Sequence, residues 1–501
     1  MNEVSPLLIR ADAGGDLGTG HVMRMIALAQ AWQDRGGRVT LAFCQCPQPL
    51  VARLRSEEIV PEQIAAVPGS TEDLKQTTRL AQGIGATWVV LDGYHFREDF
   101  QLGIRGNGIQ VLAVDDYSHC RQWPANLVLN TNLHAEELRS SYEQSHPDVR
   151  FLLGARFALL RREFTLSAGF PRQPQTDFRH LLVTFGGVDP AGATIHIIDA
   201  LETLQAQAWM FRVIVGGANP RITEIQDRVA QSSRPMELRI DVTDMTTEYR
   251  WADAVISAGG SSCHEWLLYN LPAWVVSIAP NQDPILNALK VQDLACTAGR
   301  IVDHVDTVSL GKSLSSWLEN PQPPARHAVD GWGAERVACE IAESPCWIRP
   351  VDQSTDSDFK FLYELANEPS VRSAGYHNDP IPQQDHQAWL QRHLSNPASR
   401  LWIIMTRNDE MAGLIRFHHQ SDQRWEIGVS LHPCHRRGGV ARHALEIAMF
   451  RHTKALGMVI WLATIRPSNH PSIRLFQSLG FQPFQTSGER GEWSLKTIAS
   501  P

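Results

Sequence analysis

Ile9-Arg10-Ala11-Asp12-Ala13-Gly14-Gly15-Asp16-Leu17-Gly18-Thr19-Gly20-His21-Val22-Met23-Arg24 is the stretch on which the reading of this chain turns. It follows a short apolar run and opens an apolar-periodic segment from Met25 to Trp32, so it reads as a strand, a glycine-rich turn and a helix. Glycines at 14, 15, 18 and 20 let the backbone take positive φ and approach a ligand closely. The helix that follows turns its free N–H groups and the positive end of its dipole towards that turn. His21 stands at this mouth, where the helix end favours the neutral imidazole that acts as a general base. The same spacing also fits a plain glycine-rich turn with a capping histidine.

Further along, apolar runs at 39–44, 88–91, 111–114 and 127–129 alternate with polar helical stretches. That alternation predicts a parallel sheet covered on both faces, with ligands gathering at the C-terminal ends of its strands. Three polar clusters fall there: Asp92-Gly93-Tyr94-His95, Asp115-Asp116-Tyr117-Ser118-His119 and Asn130-Thr131-Asn132. Asp115 and Asp116 have the chemistry of a divalent-cation site, but carboxylates that close a strand also cap turns and bind backbone N–H groups. The stretch 152–164 marks a hinge, and within it Arg161 is suited to fork onto a diphosphate or to make a surface salt bridge.

A second alternating unit starts at His180. Three of its strands end in paired glycines, Gly186-Gly187, Gly216-Gly217 and Gly259-Gly260. After the last, Ser261 and Ser262 are placed to cap a helix beginning near Cys263 and so to form an anion site, with Glu265 one turn on. A capped helix with an exposed glutamate is the simpler reading of the same residues. Asn281 and Gln282, after a strand at 273–278, supply amides suited to N-acetyl and hydroxyl groups. Glu343-Ser344-Pro345 reads as a linker, with the chain separable near Ser344.

The last third has strands around 401–405, 411–418 and 425–431, then Leu431-His432-Pro433-Cys434-His435-Arg436-Arg437-Gly438-Gly439-Val440-Ala441 opening a helical stretch. Backbone N–H groups from Arg437 to Ala441 form a concave anion site suited to a pyrophosphate. Asn469-His470-Pro471-Ser472 and Gly480-Phe481 follow. Glu426, on the strand before the turn, has the chemistry to take an amine proton through water, although strand alternation equally allows it to face solvent.

The length, 501 residues, suggests about three domains, each with its own core. A formal charge of −8 and a pI near 6.2 argue against nucleic acid as a partner. The start lacks the basic and long apolar segments of a signal peptide, and no apolar run reaches membrane-spanning length, so a soluble cytoplasmic protein without a membrane partner is expected. The eight cysteines lack zinc-site spacing and are expected to be reduced and structural. No feature specifies an oligomeric state.

RADAGGDLGTGHVMRMIALAQAW, at 10–32, resembles the N-terminal signature of the UDP-sugar hydrolases of pseudaminic acid biosynthesis, and the likeness runs from about residue 5 to 345. It implies a glycosyltransferase-B-like α/β fold of two Rossmann-like domains, 1–165 and 166–345. It further implies metal-independent hydrolysis of UDP-2,4-diacetamido-2,4,6-trideoxy-altropyranose with His21 as base. Arg10, Asp12, Gly18, Gly20, Tyr94 and Arg161 fall at the substrate on this resemblance. So do Gly259, Gly260, Ser261 and Ser262 at the diphosphate, Glu265 at the ribose, and Asn281 and Gln282 at the sugar. Phe157 replaces the family's usual tyrosine.

The 431–441 turn fits Arg/Gln-x-x-Gly-x-Gly/Ala and, with 469–481, resembles GNAT-type N-acetyltransferases, implying a domain at 346–501 that uses acetyl-CoA as co-substrate. Leu431, Arg436, Arg437, Gly438, Gly439, Val440, Ala441, Asn469 and Ser472 are then the cofactor-binding residues. Phe476 stands where many of these enzymes carry a tyrosine that protonates the departing thiolate, and a phenyl ring donates no proton. Together the resemblances imply N4-acetylation of a UDP-amino-sugar followed by release of UDP. A UDP-sugar glycosyltransferase with an accessory acyltransferase, and a regulatory protein that binds nucleotide sugars, are the alternatives.

Overall fold

The computed structural model describes residues 4–14, 18–143, 148–167, 179–204, 209–301, 306–352, 355–375, 379–487 and 490–497. Gly15, Asp16 and Leu17 of the opening turn, Gly15 among the glycines expected there, lie outside the described residues. The chain divides into two compact units. One is formed by Pro6–Gln30 with Val39–Ala334, the other mainly by Ala31–Arg38 with Glu335–Pro501.

The first unit holds two all-parallel sheets. Strands β1 (Leu7–Ala11), β2 (Val39–Phe43), β3 (Val60–Gln63), β4 (Trp88–Asp92), β5 (Gln110–Val114), β6 (Leu127–Asn130) and β7 (Arg150–Leu153) run in the order β3-β2-β1-β4-β5-β6-β7. Strands β8 (Arg179–Thr184), β9 (Trp209–Val215), β10 (Met236–Ile240), β11 (Ala254–Ala258), β12 (Ala273–Ser277) and β13 (Cys296–Arg300) follow the order β10-β9-β8-β11-β12-β13. In each sheet the strand order reverses once, between β1 and β4 and between β8 and β11. A reversal of this kind opens a crevice at the C-terminal strand ends, because the flanking helices leave in opposite directions. The inner strands are buried on both faces, hence the uninterrupted apolar runs such as Trp88-Val89-Val90-Leu91.

Four strands carry no such run: β3, β7, β10 and β13. All four lie at sheet edges: β3 and β13 are mostly exposed, β10 is part exposed and part half-buried, and β7 buries only its last two residues. An edge strand is specified by pairing with one neighbour more than by apolar side chains, so its pattern in the sequence is weak.

The second unit contains β14 (Cys346–Pro350), β15 (Ser399–Thr406), β16 (Met411–Ser421), β17 (Arg424–Leu431), β18 (Val459–Ile465), β19 (Gln482–Ser487) and β20 (Arg490–Thr497), ordered β14-β15-β16-β17-β18-β20-β19. All neighbours are antiparallel except β17 and β18, which are parallel and pair only over Arg424–Glu426 and Ile460–Leu462 before they part. The helix Val440–Leu456 buries Ala444, Leu445, Ile447 and Ala448 in the same core as Ile415, Phe417, Trp425 and Ile427.

Glu343-Ser344-Pro345 is not the exposed linker expected of it. Ser344 is buried, its hydroxyl donates to the Cys346 carbonyl, and its own carbonyl accepts from Arg407. The residues from Glu335 onward belong to the unit that holds β14–β20, so the boundary expected at 345/346 falls earlier in the packing. The cause is visible in one cluster: Arg451 binds Glu335 at 2.7 Å and lies 3.8 Å from Asp34.

Candidate active sites

The crevice of the first sheet holds the sequence's lead histidine. Ala11 pairs with Asp92 in register, so the turn after β1 and the end of β4 lie side by side. The helix Gly20–Gln33 starts from that turn, and His21 Nδ1 sits 2.7 Å from Asp92 Oδ1. Asp92 is fully buried; burial by itself would raise its pKa, but the Arg24 and His21 charges hold the carboxyl below the ordinary range. With Nδ1 held by a carboxylate, Nε2 is the nitrogen left to take a proton, and Asp92 is set to stabilise the imidazolium that results. Arg24, one turn along the same helix face, binds Asp92 and Asp116. Tyr94 donates to Asp116 at 2.7 Å, and its ring lies 5.3 Å from that of His21, edge-on. Burial, then the Asp116 charge, push the Tyr94 phenol well above its usual range, so it stays protonated.

Arg10 and Asp12 require a correction. Arg10 is fully buried, its guanidinium spent on Asp73, Asp12 and Cys44, while Asp12 accepts from the Cys44 and Gln45 N–H groups. Both are held inside the protein, and a buried, fully engaged ion pair presents no face to a ligand. Gly18 takes φ +65°, as a turn there requires. Asp115 accepts from the Ser118 and His119 N–H groups, from the His119 ring and from Tyr142, the turn-binding alternative to a metal ligand.

The second sheet's crevice faces the first. A Cβ on Gly20 would come within 3.8 Å of Ser261 Oγ, and one on Gly187 within 3.3 Å of Thr19 Oγ1. The helix after β11 runs Ser262–Leu268, and here too the expectation is corrected. Ser261 has helical φ and ψ and makes no side-chain cap, and Ser262 Oγ lies 3.3 Å from Ser257 Oγ instead. Arg161 and Glu265 come together: Nη2 is 3.6 Å from Oε1, Arg161 also binds Glu163 at 2.6 Å, and Tyr249 donates to Glu265 at 3.1 Å. Burial raises the Glu265 carboxyl above its ordinary value. Gln282 stands over the 259–260 turn, its Nε2 3.9 Å from a Cβ on Gly260, while its Oε1 accepts from the Ile278 N–H; Asn281 is exposed. His264, for which the sequence carries no signal, is buried with its ring bonded to the Thr131 backbone, and burial lowers its pKa to about 4.

In the other unit, a cleft of about 1590 Å³ is lined by Leu431, Arg436, Arg437, Gly439, Val440, Ala441, Asn469 and Ser472, together with Glu426 and Phe476. Arg437 and Gly439 take φ +71° and +76°, and Gly439 opens the 17-residue helix with no side-chain cap, so its first N–H groups face outwards. Gly438 is exposed, with open space around it. Arg436 instead donates to the Leu431 carbonyl at 3.1 and 2.9 Å, bracing the turn. Asn469 accepts from the Ser472 N–H at the start of the helix His470–Ser478. Glu426 sits where β17 and β18 part, half-buried, and accepts from Gln420 at 2.7 Å. Phe476 is buried against Phe481, with ring centroids 5.0 Å apart.

Of the residues that the sequence left without a role, Arg24 had a local signal, three positions after His21, Asp92 had only its place at a strand end, and His264 had none. Asp116, a candidate cation ligand by its sequence, is the anchor of Arg24. Among the described residues no helix is long and apolar enough to cross a membrane, and no group of three His, Cys, Asp or Glu is arranged to hold a metal ion.

Residues 347–482 match the acetyltransferase (GNAT) domain family. An uncharacterized protein of Methanocaldococcus jannaschii is 21% identical over 505 residues, 97% of this chain and 98% of its own length. The UDP-2,4-diacetamido-2,4,6-trideoxy-beta-L-altropyranose hydrolase of Campylobacter jejuni is 24% identical over 284 residues, 55% of this chain and 93% of the hydrolase. Among solved structures, MurG of Acinetobacter baumannii aligns with 68% of this chain and 100% of its own at 16% identity and a TM-score of 0.46. The chain therefore joins a region homologous to the diacetamido-altropyranose hydrolase, built on two Rossmann-like parallel sheets, to a C-terminal acetyltransferase domain of the GNAT family.

Proposed function

We propose that this protein acetylates the 4-amino group of a UDP-4-amino-sugar with acetyl-CoA and then hydrolyses the product to UDP and the free 2,4-diacetamido-2,4,6-trideoxy-altropyranose. The hydrolytic reading rests on one observation above all: the His21–Asp92 pair at the strand-order reversal of one sheet, opposite the 259–262 turn of the other. His21 Nε2 takes a proton from water as the water oxygen bonds to C1. The C1–O bond breaks, its electrons leave with UDP, and the anomeric centre inverts. Asp92 holds the ring and stabilises its positive charge, Arg24 fixes Asp92, and Asp116 holds Arg24 in place. Backbone N–H groups near Gly260–Ser262 and the Arg161 guanidinium meet the diphosphate, and Glu265 the ribose. Phosphate charge met in this way needs no metal, and the Asp115 and Asp116 oxygens are already engaged by donors, so EDTA is expected to leave hydrolysis intact. Loss with EDTA and recovery with magnesium would restore a metal role.

In the acetyltransferase cleft, the 437–441 turn holds the pyrophosphate of acetyl-CoA. The amine attacks the thioester carbonyl, Glu426 receives the amine proton through water, and coenzyme A leaves as thiolate. Phe476 cannot protonate that thiolate, so solvent does. Eight arginines line the cleft against one carboxylate, Glu426, a charge balance that opposes a polyamine acceptor and suits an anionic one. The purified protein, given acetyl-CoA and candidate UDP-4-amino-sugars, should yield free diacetamido-sugar and UDP by mass spectrometry. UDP release that requires an added sugar acceptor would replace the hydrolase reading with a glycosyltransferase.

A further inference from the structure

The arginines of the acetyltransferase cleft do not all serve its pyrophosphate turn. Arg436, Arg437 and Arg442 lie on that turn and its helix, whereas Arg416 lies on β16, opposite Gly428 of β17 in register. Ile415, Phe417, Trp425 and Ile427 face the core that holds the helix Val440–Leu456, so Arg416, Glu426 and Gly428 share the other face of the sheet. Position 428 has no side chain, and the guanidinium lies over it: a Cβ there would be 3.2 Å from Arg416 Nη2 and 3.4 Å from Nε. The acid whose charge reaches Arg416 is Glu426, two residues from Gly428 and held by Gln420. Among the described residues Arg416 makes no salt bridge, which leaves its fork open to the cleft. Trp389, on the helix Gln383–Leu394, lines the same cleft with its ring 4.5 Å from that of His393, a residue within charge range of Arg416.

We propose that Arg416 and Trp389 form the subsite for the nucleotide of the acceptor, the guanidinium on its diphosphate and the indole against its base, with the amino-sugar presented at Glu426. This rests on the reading of the acceptor as a UDP-amino-sugar. A planar fork binds phosphate oxygens in pairs, and an indole stacks on a base whatever its sequence context. Gly428 is then a specificity residue in its own right, since a Cβ there already crowds the guanidinium and a branched side chain takes up its seat.

The test uses the full chain carrying His21→Asn, so that acetylated product is not hydrolysed. KM is measured for a UDP-4-amino-sugar and for the same amino-sugar without UDP, and UDP itself is titrated by calorimetry. Arg416→Gln should raise KM for the UDP-linked acceptor about tenfold or more, while KM for acetyl-CoA moves less than about twofold. Gly428→Val should reproduce the effect, and Arg416→Lys should recover part of it. Arg416→Gln should also weaken one of the parent's UDP sites about tenfold or more. An equal change in KM for both acceptors, or UDP affinities identical to the parent's, overturns the subsite. If neither amino-sugar is acetylated and Arg416→Gln still weakens one UDP site, the subsite stands and the amino-sugar reading fails.

Discussion

His21 lies on the helix after β1, but its chemistry depends on a residue 71 positions away: Asp92 Oδ1 meets Nδ1 and fixes which nitrogen remains basic. His21→Asn and Asp92→Asn should each lower the rate of UDP release by about 100 to 10,000-fold, with UDP affinity nearly retained, because base and partner are removed and the diphosphate site is not. Asp92→Asn at near-normal turnover would show that the carboxylate is a bystander. Glu265 gives a different signature. It meets Arg161 and Tyr249 at the edge of the second crevice, so Glu265→Ala should weaken UDP binding by about 1 to 3 kcal/mol while turnover at saturation changes less. Calorimetric UDP affinity equal to that of the parent would move the ribose contact elsewhere.

Two strand-turn-helix elements carry most of the proposed chemistry, and both leave their first helical N–H groups without a side-chain cap. At the longer one, Gly439 combines φ +76° with a place beside the expected pyrophosphate. Gly439→Asp should abolish acetyl-CoA binding, because it introduces a carboxylate where an anion sits and strains the backbone besides. Retained binding by calorimetry would place the pyrophosphate away from this turn. The helix His470–Ser478 presents Phe476 to the same cleft, so Phe476→Tyr adds a phenol where the departing thiolate needs a proton and should raise the rate of acetyl transfer. A rate unchanged from the parent under saturating substrates would mean that solvent already delivers that proton without delay.

Two buried histidines tie the stability of the molecule to pH. Burial pushes His264 and His452 down to about 4 from an ordinary 6.5. Their folded values lie below their unfolded ones, so the stability they represent is complete above about pH 6.5 and is lost as pH falls towards 4, by about 3 kcal/mol each. Urea midpoints measured from pH 7 to 4.5 should fall, and His452→Phe, which fits among Phe417, Trp425 and Trp461, should fall less steeply. Parallel curves for variant and parent would remove His452 from the account. Cutting at Ser344 should not release a sound acetyltransferase piece. A fragment from 346 lacks Glu335 and Asp34, leaving Arg451, 11% exposed, without its partners, a loss on the order of 3 to 5 kcal/mol. A fragment that melts with the intact chain would show that the cluster is dispensable.

Much of this was legible in the chain read as letters. Apolar runs announced the inner strands, because a strand buried on both faces must be apolar throughout, and glycines announced the turns at 18 and 439, because those backbones take positive φ. The edge strands β3, β10 and β13 were not legible, since one neighbour's hydrogen bonds define them and at most one face, as with Met236 and Leu238 of β10, meets the core. Arg10 and Asp12 looked like ligand contacts by their place at a strand end, and only packing reveals that Asp73, on a helix 61 positions after Asp12, takes the guanidinium out of reach. The same holds for Asp92 beside His21, His264 beside Thr131, Arg161 beside Glu265 and Arg416 over Gly428. Local propensity and periodicity are written along the chain, so the sequence determined the elements and the order of the units. Which charges face one another across a crevice depends on strand order and helix packing, and only the tertiary structure decides that.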